Sequence, residues 1–217
     1  TERFHVTILG RGINGYKTIS ELSTATSNNF YYKPILDRNL VESLGADTKH
    51  LTVLSGCAGS RLSTLLLADE EDAAREELIW WRDSFEHFYI ELMHHDTDFD
   101  LKLNTKLIEI AKRYDIPWVV TNDPHFAEEE DCVYHDTLLA IQTASDLDDP
   151  NRFKFDGSGY YLKSRAEMRK AIARNYGEDI WKVGAANTNV IARESVTRIP
   201  AWESKTWQIP KFPDTDD

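Results

Sequence analysis

No run of about eighteen apolar residues occurs in the 217-residue chain, which excludes a membrane-spanning helix. Basic residues are scarce: 25 Lys and Arg stand against 37 Asp and Glu, for a net charge of −12. A free-standing nucleic-acid binder normally carries a basic face, so that class is disfavoured. Cysteine is nearly absent. Cys57 and Cys132 are the two in the chain. Two cysteines cannot build a disulfide framework, which fits a reducing, cytoplasmic setting. A charged, apolar, small-residue leader pattern is missing at the front. The chain opens on Thr1 rather than Met, so a preceding or removed segment is expected. Internal repeats and low-complexity linkers are also lacking.

What is present is an ordinary globular composition. The apolar share is 41%, enough for a core, and the length suits one domain or a large part of one. Short apolar runs alternate with helical patterns. FHVTILG (4–10), HLTVLSG (50–56), FYIELM (88–93) and IPWVVTND (116–123) read as strands. Helices are expected over 15–26, 61–68, 71–85, 101–114, 128–142, 165–174 and 178–193. In the 101–114 segment Leu103, Leu107, Ile110 and Ala111 fall at helical spacing. Glu71 lies four residues before Arg75, the spacing of a supporting ion pair. Strands separated by helices imply a parallel sheet or barrel. FHVTILG is apolar at nearly every position, as expected of a parallel strand buried on both faces. The tail PKFPDTDD is proline-broken and acidic, which separates a domain over 1–209 from a connection over 210–217.

In folds of this class the chemistry sits at the carboxyl ends of the strands. That rule selects Asp123 and His125 after the fourth strand, and Cys57 after the second. Extended chain rises about 3.3 Å per residue and alternates faces, so Asp123 and His125 should point one way roughly 6–7 Å apart. Pro124 keeps Asp123 extended. A carboxylate and an imidazole converging from one face can share a metal ion. The same spacing also suits a turn, with Asp123 capping a helix that starts near Glu128.

Taken in order, HVTILGRGINGYKTISELS, FYYKPILDRNLV, LTVLSGCAG, FYIELMHH, VVTNDPHF, HDTLLAIQT, DDPNRFKFDGSGYYLKSRAEM and IPKFP resemble one family. It is the PHP (polymerase and histidinol phosphatase) domain of bacterial C-family replicative polymerases, the DNA polymerase III alpha-subunit family. The resemblance covers nearly the whole chain. It implies an α/β fold, a distorted (βα) barrel with a metal cluster at the strand ends. Residue by residue, the family's ligand histidine falls on His5, its cysteine on Cys57, and its late Asp-x-His pair on Asp123 and His125. Taken singly, His5 also reads as a half-buried strand histidine and Cys57 as a small buried hydrophobe. A donor mix of oxygen, nitrogen and sulfur suits zinc, manganese or iron better than magnesium. The implied chemistry is phosphodiester hydrolysis, a 3′–5′ proofreading exonuclease, with Asp123 and His125 as catalytic candidates. The other implied role is a catalytically inactive scaffold for a polymerase body and its partner subunits.

The sequence departs from the family pattern in one respect. Seven histidines are present, and none forms the family's H-x-H motif. The first strands of the barrel, with that motif, are expected from an upstream segment or a second polypeptide. Further partners implied are the polymerase body and primer–template DNA, and no membrane. His95, beside His94 after FYIELM, is a candidate substrate or cleft contact, with a solvated loop as the alternative. Cys132 and His135 lie at i, i+3, a spacing that can chelate but also fits a structural role. Arg152, Lys154 and Lys163 are candidates for phosphate or interdomain contact. The acidic run 128–131 suits a helix N-terminal turn. Trp80, Trp81 and Phe85 suit core or interface positions.

Overall fold

The computed structural model describes residues 3–195. The proline-broken tail over 210–217 lies outside the described residues. The chain folds as a mixed α/β unit around a four-stranded sheet of β1 (Thr7–Gly10), β4 (Leu51–Leu54), β5 (His87–Leu92) and β6 (Trp118–Val120), in the order β1-β4-β5-β6. A small antiparallel hairpin, β2 (Phe30–Tyr31) with β3 (Lys33–Pro34), stands apart. No described helix is long and apolar enough to cross a membrane.

Strands β4, β5 and β6 run parallel, as the strand–helix alternation implies. Strand β1 does not. It pairs antiparallel with β4, with Thr7 opposite Leu54 and Gly10 opposite Leu51. Its four residues are only half-buried, so the expectation of a parallel strand covered on both faces is overturned. The reason lies in the connection. Between β1 and β4 the chain makes α1 (Gly12–Asn28), the hairpin, α2 (Arg38–Leu44) and a 3₁₀ turn (Gly45–His50), and re-enters the sheet in the opposite sense. Close backbone packing fixes this corner: a Cβ on Gly15 would lie 2.7 Å from the carbonyl carbon of Gly10. The Arg11 amide donates to His50 O at 2.8 Å.

Side chains alternate across the parallel strands. Leu51, Val53, Phe88, Ile90, Leu92 and Val120 enter the main core. There they meet α3 (Arg61–Leu67), α4 (Glu71–Ser84) and α5 (Asp98–Arg113). Leu103, Leu107, Ile110 and Ala111 all point into it, as their spacing predicts. Trp81 stacks on Phe85 and Phe88 at 5.7 and 6.3 Å; Phe85 is in the core, and Trp80 and Trp81 pack against it partly buried. The opposite face is thinner. Leu54 and Val119 meet Ile191 there, with Leu9 and Tyr89 packed against them. Ile191 belongs to α8 (Glu178–Glu194), which follows α7 (Arg165–Tyr176).

The expected ion pair between Glu71 and Arg75 does not form. Arg75 reaches Asp72 at 3.8 Å, and Glu71 reaches Arg113 at 3.6 Å. The acidic run behaves as expected. Glu128 and Asp131 form a reciprocal capping box on the 3₁₀ turn Glu129–Asp131, which leads into α6 (Cys132–Gln142). Asp123 is therefore not the cap of this helix. Helix α6 presents Tyr134, Leu138 and Ile141 to solvent, one apolar stripe at i, i+4, i+7.

Candidate functional site

The reversal of β1 has a direct consequence for His5. At the start of a parallel strand it would lie at the amino edge of the sheet, away from Cys57. Because β1 runs antiparallel, its start lies beside the carboxyl end of β4. His5 Nδ1 stands 3.6 Å from Cys57 Sγ. The backbone holds them there: the His5 amide donates to Gly59 O at 3.1 Å, and Ser60 N donates to Cys57 O at 2.9 Å. Gly56 must be glycine in this turn. Its φ is +85°, and a Cβ would lie 2.6 Å from His5 O.

Asp123 and His125 form a second pair. Strand β6 ends at Val120, three residues earlier than the sequence suggests. The segment beyond it is held from the side instead. His125 N donates to Tyr160 O at 2.7 Å, and Asn122 Nδ2 donates to Tyr161 O at 2.9 Å. His125 Nε2 lies 3.5 Å from Asp123 Oδ1, and both side chains are partly exposed. The four residues thus form two separate pairs at the carboxyl edge, one after β4 and one after β6. Among the described residues no group of three or more His, Cys, Asp or Glu side chains is arranged to hold one ion.

The donor pairs fit metal-ligand geometry individually. Two ligands on one tetrahedral zinc, with bonds near 2.0–2.3 Å, stand roughly 3.5 Å apart. The observed separations are 3.6 and 3.5 Å.

His95 follows the carboxyl end of β5 and is buried, so the solvated-loop alternative is overturned. Its amide donates to Asp100 Oδ2 at 2.8 Å, and its Nδ1 lies 3.4 Å from Asp100 Oδ1. Asp100 is itself fixed in the first turn of α5, where Thr97 Oγ1 donates to it at 2.8 Å. Burial pushes the Asp100 carboxyl up, but the His95 and Thr97 hydrogen bonds outweigh this and hold it below its ordinary value. Nε2 of His95 is buried and has no hydrogen-bond partner. The ring stacks on Tyr160 at 4.1 Å, and Tyr160 meets His125 edge-on at 5.8 Å. Burial, reinforced by the carboxylates of Asp100, Asp123 and Asp156, raises the Tyr160 hydroxyl to about 12.

The remaining polar candidates resolve by contact. Arg152 forks onto both oxygens of Asp136, so it is committed within the fold rather than free for phosphate. Lys163 is buried, donates to Gly159 O and lies over the Tyr161 ring at 4.6 Å, which also removes it from an exposed phosphate-binding role. Lys154 is exposed. His135 packs on Phe155 at 5.0 Å and beside His125 at 5.5 Å, in keeping with a structural role.

One carboxylate lies outside the sequence-based expectations. Glu91, in β5, is buried on the thin face of the sheet. Its Oε1 accepts from Thr121 Oγ1 at 2.7 Å, while Oε2 has no partner. Burial raises its pKa. The Thr121 hydroxyl opposes that rise, the Asp123 carboxylate adds to it, and the Gly56 amide opposes it. The signal was legible as a lone charge inside the apolar run HFYIEL.

Comparison with known proteins completes the description of the site. The family model described as "PHP domain" matches residues 1–95. A DNA polymerase III subunit alpha from Deinococcus radiodurans is 35% identical over 213 residues, 97% of this chain. The chain is a homologue of this subunit, with the PHP-domain match on its first 95 residues. The Thermus aquaticus subunit of the same name is also 35% identical across 97% of this chain, and that of Treponema pallidum is 37% identical across 91%. The chain spans 15%, 17% and 16% of the length of these three relatives. It is homologous to DNA polymerase III alpha subunits along nearly its whole length.

Proposed function

We propose that this chain is part of the metal-binding module of a replicative polymerase, a module that in the intact protein hydrolyses phosphodiester bonds at the 3′ end of a mispaired primer. The observation that carries the reading is the pair of donor couples, His5 with Cys57 and Asp123 with His125, each at ligand–ligand spacing on one edge of the sheet. The mixture of imidazole, thiolate and carboxylate suits zinc, manganese or iron rather than magnesium. When bound, such an ion lowers the pKa of water and offsets phosphate charge. The chain's own residues orient these groups. Asp123 Oδ1 and His125 Nε2 lie 3.5 Å apart and present a carboxylate and an imidazole as the proposed catalytic pair. His95, buried and stacked on Tyr160, is the proposed cleft contact: it backs the Tyr160 ring that meets His125 edge-on.

The sheet supports a closed barrel completed by strands from further chain. The outer edge of β1 has no strand partner among the described residues. A groove of about 880 Å³ lies beside its approach, lined by Phe4, His5, Val6, Leu36 and Trp80. An unpaired apolar edge is a liability that proteins normally cover. The H-x-H donors would enter with that segment. The polymerase body and primer–template DNA are the proposed partners of the longer protein, in the cytoplasm.

A scaffold without catalysis is the second reading, favoured by the lack of a three-donor group among the described residues. Metal analysis and cleavage of a mispaired primer by the full-length polymerase separate the two. Bound zinc, manganese or iron, with cleavage abolished by Asp123→Ala, supports the enzyme. Bound metal without cleavage supports the scaffold.

A further inference from the structure

The segment between α6 and α7 passes beside the Asp123–His125 couple, and one arginine pins it there. The Arg152 side chain is almost fully covered. It forks onto both oxygens of Asp136 in α6, and its Nε donates to Leu147 O at 3.0 Å. The Asn151 amide donates to Asp149 Oδ1 at 2.8 Å. Phe153, the next residue after Arg152, is thus presented from an anchored backbone, yet it is 59% exposed.

Among the described residues the Phe153 ring meets one other ring, Phe155, edge-on at 5.8 Å. Phe155 in turn meets the His125 ring at 4.7 Å and 80°. Laid end to end, these two steps bound the distance from Phe153 to the candidate catalytic imidazole, and their scale is that of one nucleotide. Phe155 is steadied by Tyr160 at 4.7 Å and His135 at 5.0 Å. A lone exposed apolar residue needs no explanation by itself. Phe153 differs in its place. It continues a line of ring contacts outward from the proposed hydrolytic couple, on a backbone held still before any ligand arrives.

Every nucleobase has a π-face, so an aromatic ring binds bases without reading their sequence. A base must be unpaired to use that face, and a mispaired base leaves the duplex at least cost. Lys154, next along the chain, is exposed and supplies positive charge for a phosphate.

We propose that Phe153 is a stacking platform for the unpaired 3′-terminal nucleobase of a DNA strand whose last phosphodiester is presented to the Asp123–His125 couple. The inference rests on the hydrolytic reading above. It adds to that reading the residue that favours a frayed end over a paired one.

The test uses the full-length polymerase and a primer–template whose 3′-terminal base is a mispaired 2-aminopurine, a base that loses fluorescence when it stacks. Quenching is expected on binding to wild type, to be lost in Phe153→Ala and kept in Phe153→Trp. Rescue by Phe153→Trp separates stacking from a loss of fold. In cleavage of the same primer, Phe153→Ala is expected to raise KM by about 5–100-fold, the range of one base stack, with kcat little changed. A fully paired terminus should bind wild type and Phe153→Ala alike. Phe153→Ala with wild-type quenching and wild-type KM overturns the platform and leaves the hydrolytic reading standing. Phe153-dependent quenching in a wild-type polymerase that cleaves nothing overturns the hydrolytic reading and supports the platform as a site for frayed ends. A Phe153→Trp indole already shielded from acrylamide in the DNA-free polymerase overturns the platform, in favour of a contact with the polymerase body.

Discussion

At the scale of single residues, the site depends on backbone positions as much as on donors. Gly56 is the sharpest case. With φ at +85° and the His5 carbonyl oxygen 2.6 Å from where a Cβ would stand, it has neither the angle nor the space for a side chain. Gly56→Ala is expected to cost on the order of 2 kcal/mol in urea unfolding, and to disturb His5 before any other donor. His94 gives a pH prediction. Burial lowers its pKa, with Asp100 and Asp96 opposing and His95 and Lys163 assisting. The folded chain therefore holds this proton less tightly than the unfolded chain, whose histidine titrates near 6.5. Stability contributed by the neutral ring is present above about pH 6.5 and is lost as pH falls below it. The urea midpoint should drop more between roughly pH 7.5 and 5.5 in wild type than in His94→Gln. The neighbouring charges Asp96 and Asp100 were visible in sequence, but the burial and hydrogen bonding of His94 were not. Its partners, Asn175 within 3.0 Å and Tyr176 within 2.9 Å, lie some eighty residues away. Glu91, in contrast, stood in plain view as a charge within an apolar strand.

At the scale of elements, local signals fared better than direction. Helix α5 was legible because its apolar residues recur at helical spacing, and packing keeps that period. Helix α7 begins with a reciprocal box between Ser164 and Glu167. Ser164→Ala should cost about 1 kcal/mol, read as a lower thermal midpoint with little change in denaturant slope. Strand β1 shows where sequence pattern stops. FHVTILG announces an apolar strand, but strand period is the same whether the neighbour runs parallel or antiparallel. Direction was set by the intervening helices and by the Gly10–Gly15 contact, not by β1 itself. The short β6 had a similar cause. VVTNDPHF reads as one extended run, yet its second half pairs with the backbone of Tyr160 and Tyr161 rather than with β5.

At the scale of the whole molecule, the sheet has one thick face and one thin face; the candidate donors sit at the carboxyl ends of β4 and β6, and the outer edge of β1 has no strand partner among the described residues. The chain alone is expected to show little or no nuclease activity. Manganese-dependent cleavage of a mispaired primer by the purified chain, lost in Asp123→Ala, would contradict this. Adding the polypeptide that carries the family's H-x-H motif should raise the melting temperature and the metal stoichiometry together, because a ligand of the folded state stabilises it by mass action. The family was legible from the order of its sequence blocks, which survives whatever the strand directions are. The pairing of His5 with Cys57 was legible only as an inheritance from that resemblance, since their 52-residue separation carries no local signal.

The reversed first strand also governs how the protein should be handled. Whatever is joined ahead of His5 emerges at the same edge as Cys57, because β1 enters the sheet from that side. A polyhistidine purification tag at the front would hang within reach of the donor couples. It could then lend them nickel from a column or compete with them for an added ion. Metal content measured on such material would report the tag as much as the site. An affinity handle free of imidazoles and thiols keeps the two apart.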